Sequence, residues 1–213
     1  MSMGICKFQN LINPVWKKVG EGCNLNRKTD EILVKNGFNG KIYCTAPTQE
    51  LTEIILLDSA KIQEEDAERA NRKNYSGHLH CKPLYTEVHA KRTFTLFQPL
   101  NYKEWVIISN DIKFQLLNAG HILGSSIVEL KVQGKRVIFT GDIGRKEPML
   151  LYPPQKVKEA DYLIIESTYG DRVHKTEEVK SRLSAIINET YDRKGILMIP
   201  SFAVERTQEM IFL

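Results

Sequence analysis

The sequence predicts an α/β fold, because segments with helical and strand periodicity alternate along its 213 residues. Residues 49–72 carry apolar side chains at helical spacing beside a charged side, EEDAER. Residues 127–132 instead alternate apolar and charged side chains, which is typical of a β-strand. Two short segments at 162–165 and 196–199 are apolar throughout, as expected for strands covered on both faces.

The elements before residue 100 are predicted from short local patterns. Residues 1–31 show no sustained period, and the segment KNGFNG at 35–40 is rich in turn residues. In chain order, the predicted elements are a short buried strand at 41–45, a helix at 49–72, a loop at 74–83 and a helix at 86–97. The predicted inner side of the first helix contains Leu51, Ile54, Ile55, Asp58, Ile62 and Ala67.

The elements after residue 100 are predicted to be mainly strands. Predicted strands lie at 105–108, 114–117, 127–132, 136–139, 162–165 and 196–199. Gln133 and Gly134 form a two-residue link between two of them, which favours a β-hairpin. Helices are predicted at 176–191 and 204–213, and the first has Val179, Leu183, Ile186 and Ile187 on its inner side.

Composition excludes several classes of protein. A hydrophobic fraction of 42% and a charged fraction of 26% are those of a globular chain, not of a disordered tail. No apolar run approaches 18 residues, so no membrane-spanning helix is predicted. The net charge of +4 permits contact with a polyanion without requiring it. The four cysteines form no CxxC motif, and no export signal is evident, so we expect reduced thiols and a cytoplasmic location.

Three segments place a potential metal ligand or catalytic carboxylate just after a predicted strand. They are NAGHILGSS with His121, FTGDIGR with Asp142, and IIESTYGDR with Glu166. Glycines beside these residues allow sharp turns that direct a side chain into a cleft. A carboxylate at a strand end is more often a loop anchor or a helix cap, but three such segments in order indicate a hydrolytic metal site.

These segments, together with IPSFAVERTQE at 199–209, resemble motifs of the metallo-β-lactamase-fold RNA hydrolases of the β-CASP group. This is the family of the mRNA 3′-end cleavage nuclease and its bacterial and archaeal relatives. The resemblance implies a partial αββα sandwich at 32–172 and the start of a β-CASP insert domain at 173–213. Residues 1–31 are an unrecognised N-terminal segment in this interpretation.

The resemblance also implies a chemistry. His121 would be a zinc ligand, Asp142 would bridge two zinc ions, and Glu166 would orient the catalytic site by hydrogen bonding to a neighbouring histidine. Two zinc ions would activate water and neutralise charge on the scissile phosphate of an RNA. Ser201 and Arg206 would contact RNA, although Ser201 could simply cap the last helix and Arg206 could pair with a nearby glutamate.

The sequence departs from the family where the metal-binding loop is expected. That loop has the pattern His-x-His-x-Asp-His, whereas residues 20–32 read GEGCNLNRKTDEI, and no histidine precedes His78. The chain also stops before the family's two later histidines. We therefore expect a chain that is incomplete at both ends, holds no stoichiometric pair of zinc ions and is inactive as it stands.

Two further interpretations stay open from the sequence. The chain could be a non-catalytic RNA- or protein-binding paralogue, acting as a homodimer or paired with an intact paralogue, or it could be a gene fragment. The segment His78-Leu-His80-Cys81 invites a metal assignment, but a polar loop between two helices explains it more simply. No membrane partner is expected.

Overall fold

The computed structural model describes residues 34, 36–73, 80–173 and 179–213. In chain order the elements are β1 (Ile42–Thr45), α1 (Ala46–Lys73), α2 (Glu87–Phe94), β2 (Phe97–Leu100), β3 (Val106–Ser109), β4 (Ile112–Asn118), β5 (Ser126–Val132), β6 (Lys135–Phe139), β7 (Tyr162–Ile164), α3 (Val179–Asp192) and α4 (Arg206–Phe212). The chain divides into two compact units, Met1–Ile165 and Glu166–Leu213. The domain boundary predicted after residue 172 concerns family domains and stays a prediction.

Helices α1 and α2 pack against each other through a small apolar cluster. Leu56 and Ala60 of α1 contact Tyr85 and Ala90, and all four side chains are buried. The Ser59 and Tyr85 hydroxyls share a hydrogen bond of 2.5 Å beside this cluster. The cluster therefore fixes which side of α1 faces inward.

The inner side predicted for α1 was wrong. Ile54 and Ile62 are 67% and 48% exposed, whereas the buried positions are Thr52, Leu56, Ala60 and Ala70. Thr52, Leu56 and Ala60 are spaced four residues apart and have small or medium side chains, which allow α2 to approach closely. Hydrophobicity along the sequence does not show which apolar side meets a neighbour.

The second helix is shorter than the sequence predicted. It ends at Phe94, and Phe97 begins β2 instead of continuing the helix. Phe97 pairs with Ile42 in a parallel ladder between β2 and β1. Phe97 and Phe94 both pack against Ile42 and Cys44 of β1. Two apolar residues three positions apart therefore face one core, although one ends a helix and the other begins a strand.

Two sheets face each other across the main core. Strands β1 and β2 form a two-stranded parallel sheet, and the larger sheet has the order β3-β4-β5-β6-β7. Tyr43 of the small sheet meets Phe114 of the large sheet edge-to-face, with ring centroids 5.4 Å apart. The cluster between the sheets contains Phe114, Leu116, Val128, Leu130, Val132 and Val137, with Tyr43 and Leu100 packed against it.

The β5–β6 hairpin is confirmed. Gln133 and Gly134 have φ angles of +49° and +74°, and Val132 pairs with Lys135 across the turn. Positive φ at both central positions gives the turn the twist that a two-residue hairpin needs. The four strands predicted between 105 and 139 are likewise present as β3 to β6.

Strand β5 is covered on both faces, although its sequence alternates apolar and charged side chains. Ile127 belongs to a second cluster with Leu117 and Ile138, on which Val157 packs. Glu129 on this face is only 7% exposed. Its carboxylate pairs with Arg136 Nε at 3.1 Å and accepts a hydrogen bond from Gln115 Nε2 at 2.8 Å, which offsets its loss of water.

Strand β7 pairs parallel with β6 but is exposed, which corrects the predicted double cover. Tyr162, Leu163 and Ile164 each keep about half of their surface accessible. Apolar sequence predicts a tendency to be buried, but burial needs a packing partner.

The second unit also differs from its prediction. Helix α3 is present, but Val179, Ile186 and Ile187 are exposed, and its first predicted residues lie outside the described ones. Residues 196–199 form no strand and are exposed. Among the described residues of this unit only Thr190 and Glu209 are buried, so it has almost no apolar core to order these segments.

The first unit is therefore layered, with the α1–α2 pair on the small sheet and the small sheet on the large one. These layers are those of a partial α/β sandwich, as the sequence predicted. Within the described ranges, no helix combines the length and the apolarity that crossing a bilayer would need.

Candidate functional site

His121 lies in the loop that joins β4 to β5. The backbone reverses there because Gly120 and Gly124 both have positive φ, at +63° and +84°. Asn118 closes the start of the turn, since its side-chain oxygen accepts a hydrogen bond from Gly120 N at 3.0 Å. The glycines that bracket His121 in the sequence thus have the conformational role predicted for them.

The Ser125 side chain hydrogen-bonds to the backbone of the His121 loop. Its hydroxyl oxygen accepts hydrogen bonds from His121 N at 3.0 Å and from Ile122 N at 3.3 Å. Ser125 is 2% exposed, and its own carbonyl accepts a hydrogen bond from the Tyr102 hydroxyl at 2.9 Å. A buried serine therefore fixes the segment from which the imidazole projects.

Two threonines hydrogen-bond the same loop to the end of β1 and the start of α1. Thr45 ends β1, and Thr48 lies in the first turn of α1. The hydroxyls of both lie 2.9 Å from the Gly124 carbonyl oxygen, which accepts from them. A Cβ added at Gly124 would come within 2.6 Å of Thr48 Oγ1 and 2.7 Å of Thr48 N, so glycine is required here for space as well as for φ.

Asp142 lies in the loop that follows β6. Thr140 is buried and donates its N–H to the Ile164 carbonyl of β7 at 3.0 Å. Gly141 then takes a φ of +55°, which turns the chain before Asp142. The carboxylate consequently stands just beyond the sheet edge and remains 31% exposed.

The His121 and Asp142 loops cross in direct backbone contact. Gly144 N donates to the Ala119 carbonyl at 2.9 Å. A Cβ on Gly144 would lie 1.6 Å from Gly120 O and 2.7 Å from His121 N. No side chain fits at that crossing, so the two loops have a fixed relative position.

The crossing brings the His121 imidazole and the Asp142 carboxylate together. Nε2 of His121 lies 3.9 Å from Oδ2 of Asp142, and the imidazole is 41% exposed. This separation is too long for a hydrogen bond. Tetrahedral zinc would place the two ligand atoms about 3.4 Å apart, since it binds imidazole nitrogen at about 2.0–2.1 Å and carboxylate oxygen at about 2.0–2.2 Å. The two groups would therefore have to approach by about 0.5 Å to share one ion.

The described residues do not form a complete metal site. No group of three or more His, Cys, Asp or Glu side chains with metal-binding geometry occurs among them. A catalytic zinc ion generally has three protein ligands and one open position. The pair of His121 and Asp142 therefore fits two coordination positions of a metal ion, and further ligands are needed for a working centre.

Glu166 is not part of the first compact unit. It is the first residue of the second unit and is half-buried. Its predicted role as the acidic residue that orients the site stays a prediction.

The last helix begins later than predicted, which changes the positions of Ser201 and Arg206 relative to its start. Helix α4 begins at Arg206, and its capping position is Glu205, with a φ of +73°. Ser201 is exposed and precedes this cap by four residues, so the alternative that Ser201 caps the helix is wrong. Arg206 Nη1 lies 2.6 Å from Glu209 Oε2, the pairing that the sequence left open. Their RNA contacts stay predictions.

Sequence reasoning missed the residues that hold the site in place. Asn118 and Ser125 stand inside the quoted NAGHILGSS motif, and the polar residue types flanking its glycines were the available signal. Thr45 and Thr48 are 73 or more positions away from His121 along the chain, so nothing local relates them to its loop. Only the tertiary fold brings them to Gly124.

Comparison with known proteins identifies a family for the part of the chain that holds this site. Residues 29–155 match the model of the metallo-beta-lactamase superfamily domain. The matched range includes both loops of the site and the supporting residues Thr45 and Thr48.

Several curated relatives carry ribonuclease names. The chain is 30% identical to a ribonuclease of Thermus thermophilus over 182 residues, which is 85% of this chain and 38% of the relative. It is 35% identical to an RNase J-like protein of Methanocaldococcus jannaschii over 177 residues, 81% of this chain and 38% of that protein. It is 31% identical to the endoribonuclease YSH1 of Yarrowia lipolytica over 187 residues, 85% of this chain and 21% of that protein.

The chain thus spans less than two fifths of the length of each of these relatives.

Proposed function

Since the chain belongs to the metallo-β-lactamase superfamily, we propose that it carries part of the metal centre of an RNA phosphodiester hydrolase. The predicted resemblance to ribonucleases of the β-CASP group is confirmed by the relatives that match it. The observation that carries the proposal is the 3.9 Å approach of His121 to Asp142 across two interlocked glycine loops.

Zinc is the metal that we propose for this pair, because imidazole nitrogen and carboxylate oxygen are ligands that zinc accepts. His121 and Asp142 would each give one bond to the ion. Ser125 and Gly144 would keep the two ligands in place before the metal binds, which lowers the ordering cost of binding. Glu166 is proposed as the acidic residue that orients the completed centre.

We propose further that this polypeptide alone does not cleave RNA. Residues 20–32 hold no histidine, although the family places four metal ligands there. The two remaining ligands cannot hold a stoichiometric pair of zinc ions. Zinc bound by His121 and Asp142 alone should therefore be weak and readily lost. RNA would be cleaved only when further ligands complete the centre.

Zinc titration of the purified chain tests the metal proposal. We expect one weak zinc site, observable by calorimetry, which His121→Ala and Asp142→Ala each abolish. His80→Ala is the matched control, because it removes an exposed histidine that lies outside the site, and zinc binding should persist. Unchanged zinc binding in the first two variants would show that these residues are not the ligands.

Cleavage of a labelled single-stranded RNA tests the activity proposal. With zinc added, we expect no cleavage above that given by the Asp142→Ala variant. Two zinc ions per chain by elemental analysis, together with cleavage that Asp142→Ala removes, would contradict the proposal that the chain alone is inactive.

The alternative function is a non-catalytic subunit that binds RNA or protein and pairs with an intact paralogue or with itself. The position of β7 favours it, since β7 is the last strand of the large sheet as described, and another chain can pair with an open sheet edge. Its exposed apolar side chains could add contacts to such a partner. Light scattering of the purified chain, alone and mixed with such a paralogue, would detect the assembly. The location that we propose remains the cytoplasm, where Cys44 and Cys81, which form no disulfide in the structure, would stay reduced.

A further inference from the structure

A row of basic side chains crosses the large sheet at the end away from His121. Lys113 of β4 lies directly opposite Lys131 of β5, and Lys131 lies directly opposite Arg136 of β6. Residues opposite one another in antiparallel strands share a face of the sheet. Lys113 precedes Asn118 by five positions on β4, so the row lies about 17 Å from the His121 loop at about 3.4 Å per residue.

The indole ring of Trp105 lies close to both lysines of this row. The Nζ atoms of Lys113 and Lys131 lie 5.0 Å and 4.9 Å from the centre of the indole ring. The ring face attracts both ammonium groups and partly offsets their mutual repulsion. Like charges directly opposite on neighbouring strands are otherwise unfavourable, so this surface concentrates positive charge at a cost.

The carboxylates near the row are already paired with Arg136 or Lys135. Glu129 pairs with Arg136 at 3.1 Å. Asp161 accepts hydrogen bonds from Arg136 N at 2.8 Å and from Lys135 Nζ at 3.0 Å. These two donors lower the pKa of Asp161, the backbone N–H of Arg136 being the larger cause. Within the described ranges, Lys113 and Lys131 have no carboxylate within ion-pair distance.

A shallow pocket continues the basic row. It has a volume of about 430 Å³, and Lys131 belongs to both features. Its lining consists of Lys131, Gly134, Lys135, Arg136, Glu159, Ala160 and Asp161. The row and the pocket together form a concave strip with Trp105 at one end. Its four basic side chains outnumber the three nearby carboxylates, and Glu159 lies 3.9 Å from Arg136 Nη1.

We infer that this strip, defined by Trp105, Lys113, Lys131 and Arg136, binds the sugar–phosphate backbone of single-stranded RNA as a second contact remote from the His121–Asp142 pair. Proteins that bind single strands combine a positive groove with aromatic side chains. The two ammonium groups without carboxylate partners would neutralise phosphates and release counterions. Binding here needs neither a metal ion nor cleavage, so it can hold or fail independently of the proposed function.

The test measures binding of a fluorescein-labelled oligouridylate to the full chain by anisotropy at several salt concentrations. Lys113→Gln with Lys131→Gln removes both charges and keeps most of the stems that pack beside Trp105. We expect the dissociation constant to rise roughly tenfold, and the slope of log Kd against log salt to fall by about 1.4, since each single-strand phosphate contact contributes about 0.7.

A matched double variant controls for net charge. Lys61→Gln with Lys73→Gln removes two exposed lysines from α1, and we expect binding within twofold of the parent chain. Replacing Lys113 and Lys131 by arginine keeps both charges and should preserve binding. Circular dichroism of each variant checks that the chain folds.

Trp105 itself reports on the contact. Trp16→Phe leaves it as the single tryptophan, and RNA binding should then quench its emission. An equal loss of affinity in both double variants would overturn the inference, as would an unchanged Kd in the Lys113 and Lys131 variant. Binding of polyglutamate or phosphatidylserine vesicles as tightly as RNA would also overturn it, because the strip would then be a general anion surface.

Discussion

At the scale of single residues, the candidate site depends on small side chains more than on its ligands. Gly120, Gly124 and Gly141 supply left-handed backbone, whereas Gly144 is needed because the His121 loop passes where its Cβ would be. Ser125 then satisfies two N–H groups that would otherwise be unpaired in a half-buried loop. These residues determine where the imidazole and the carboxylate can lie.

Gly144→Ala should separate the two loops. Its Cβ would overlap the backbone of Gly120, which has no rotamer through which to move away. We expect a loss of about 1–3 kcal/mol or more in the free energy of unfolding, measured in urea. The affinity of His121 and Asp142 for zinc should also fall in this variant.

Gly170→Ala is the control for this prediction. A Cβ at Gly170 meets its nearest atom at 3.4 Å, which is an ordinary contact, so stability should change little. Equal stability of the Gly144 and Gly170 variants would mean that the loops do not touch as described.

At the scale of elements, short hydrogen bonds connect segments whose sequences carry little signal. The segment before β7 is fixed to β6 by Asp161, which accepts from both Lys135 and the Arg136 N–H. The α1 start is fixed to the His121 loop by Thr45 and Thr48. In each case a polar side chain at an element end determines how two elements meet.

Asp161→Asn tests one of these connections through its pH dependence. The Arg136 N–H and the Lys135 ammonium lower the pKa of Asp161 below its ordinary 3.8. Its stabilisation is therefore fully present above pH 3.8 and is lost as the pH falls through the lowered pKa. We expect the variant to melt about 1–3 °C below the parent at pH 7, and the two melting temperatures to converge in more acidic solution.

Calorimetry between pH 7 and pH 2.5 measures this difference. Asp66→Asn is the matched control, because Asp66 is an exposed carboxylate of α1 that lies 3.9 Å from Arg69. A difference between Asp161→Asn and the parent that stays constant down to pH 2.5 would exclude the carboxylate as its cause.

At the scale of the whole molecule, the two compact units differ in how well they are packed. The first has a core between its two sheets and a further cluster that joins α1 to α2. The second leaves most of its apolar side chains exposed. Segments with few buried contacts open at a lower free energy than segments within a core.

Amide hydrogen exchange should show this difference directly. We expect the amides of α3 to exchange at least tenfold faster than those of β5. Helix α1 is the matched helical control, since Leu56 and Ala60 bury one of its sides, and the middle of α1 should be protected. Protection of α3 equal to that of β5 would show that the second unit is as stable as the first.

Local patterns in the sequence predict the α/β class, the strands from β3 to β6, the β5–β6 hairpin and the two loops that carry His121 and Asp142. These depend on local chemistry: alternation for a half-buried strand, glycine for positive φ, and two residues for a tight turn. The family resemblance also followed from motifs that are contiguous in the chain.

Packing between elements sets which apolar side chains are buried and how the two loops meet. Residues 196–199 and β7 have sequences typical of buried strands, yet they are exposed because burial depends on a neighbouring element. Phe97 lies in β2 and not in the predicted helix, because it pairs with Ile42 of β1. The 3.9 Å approach of His121 to Asp142 likewise depends on contacts between residues far apart in sequence, which no local pattern can specify.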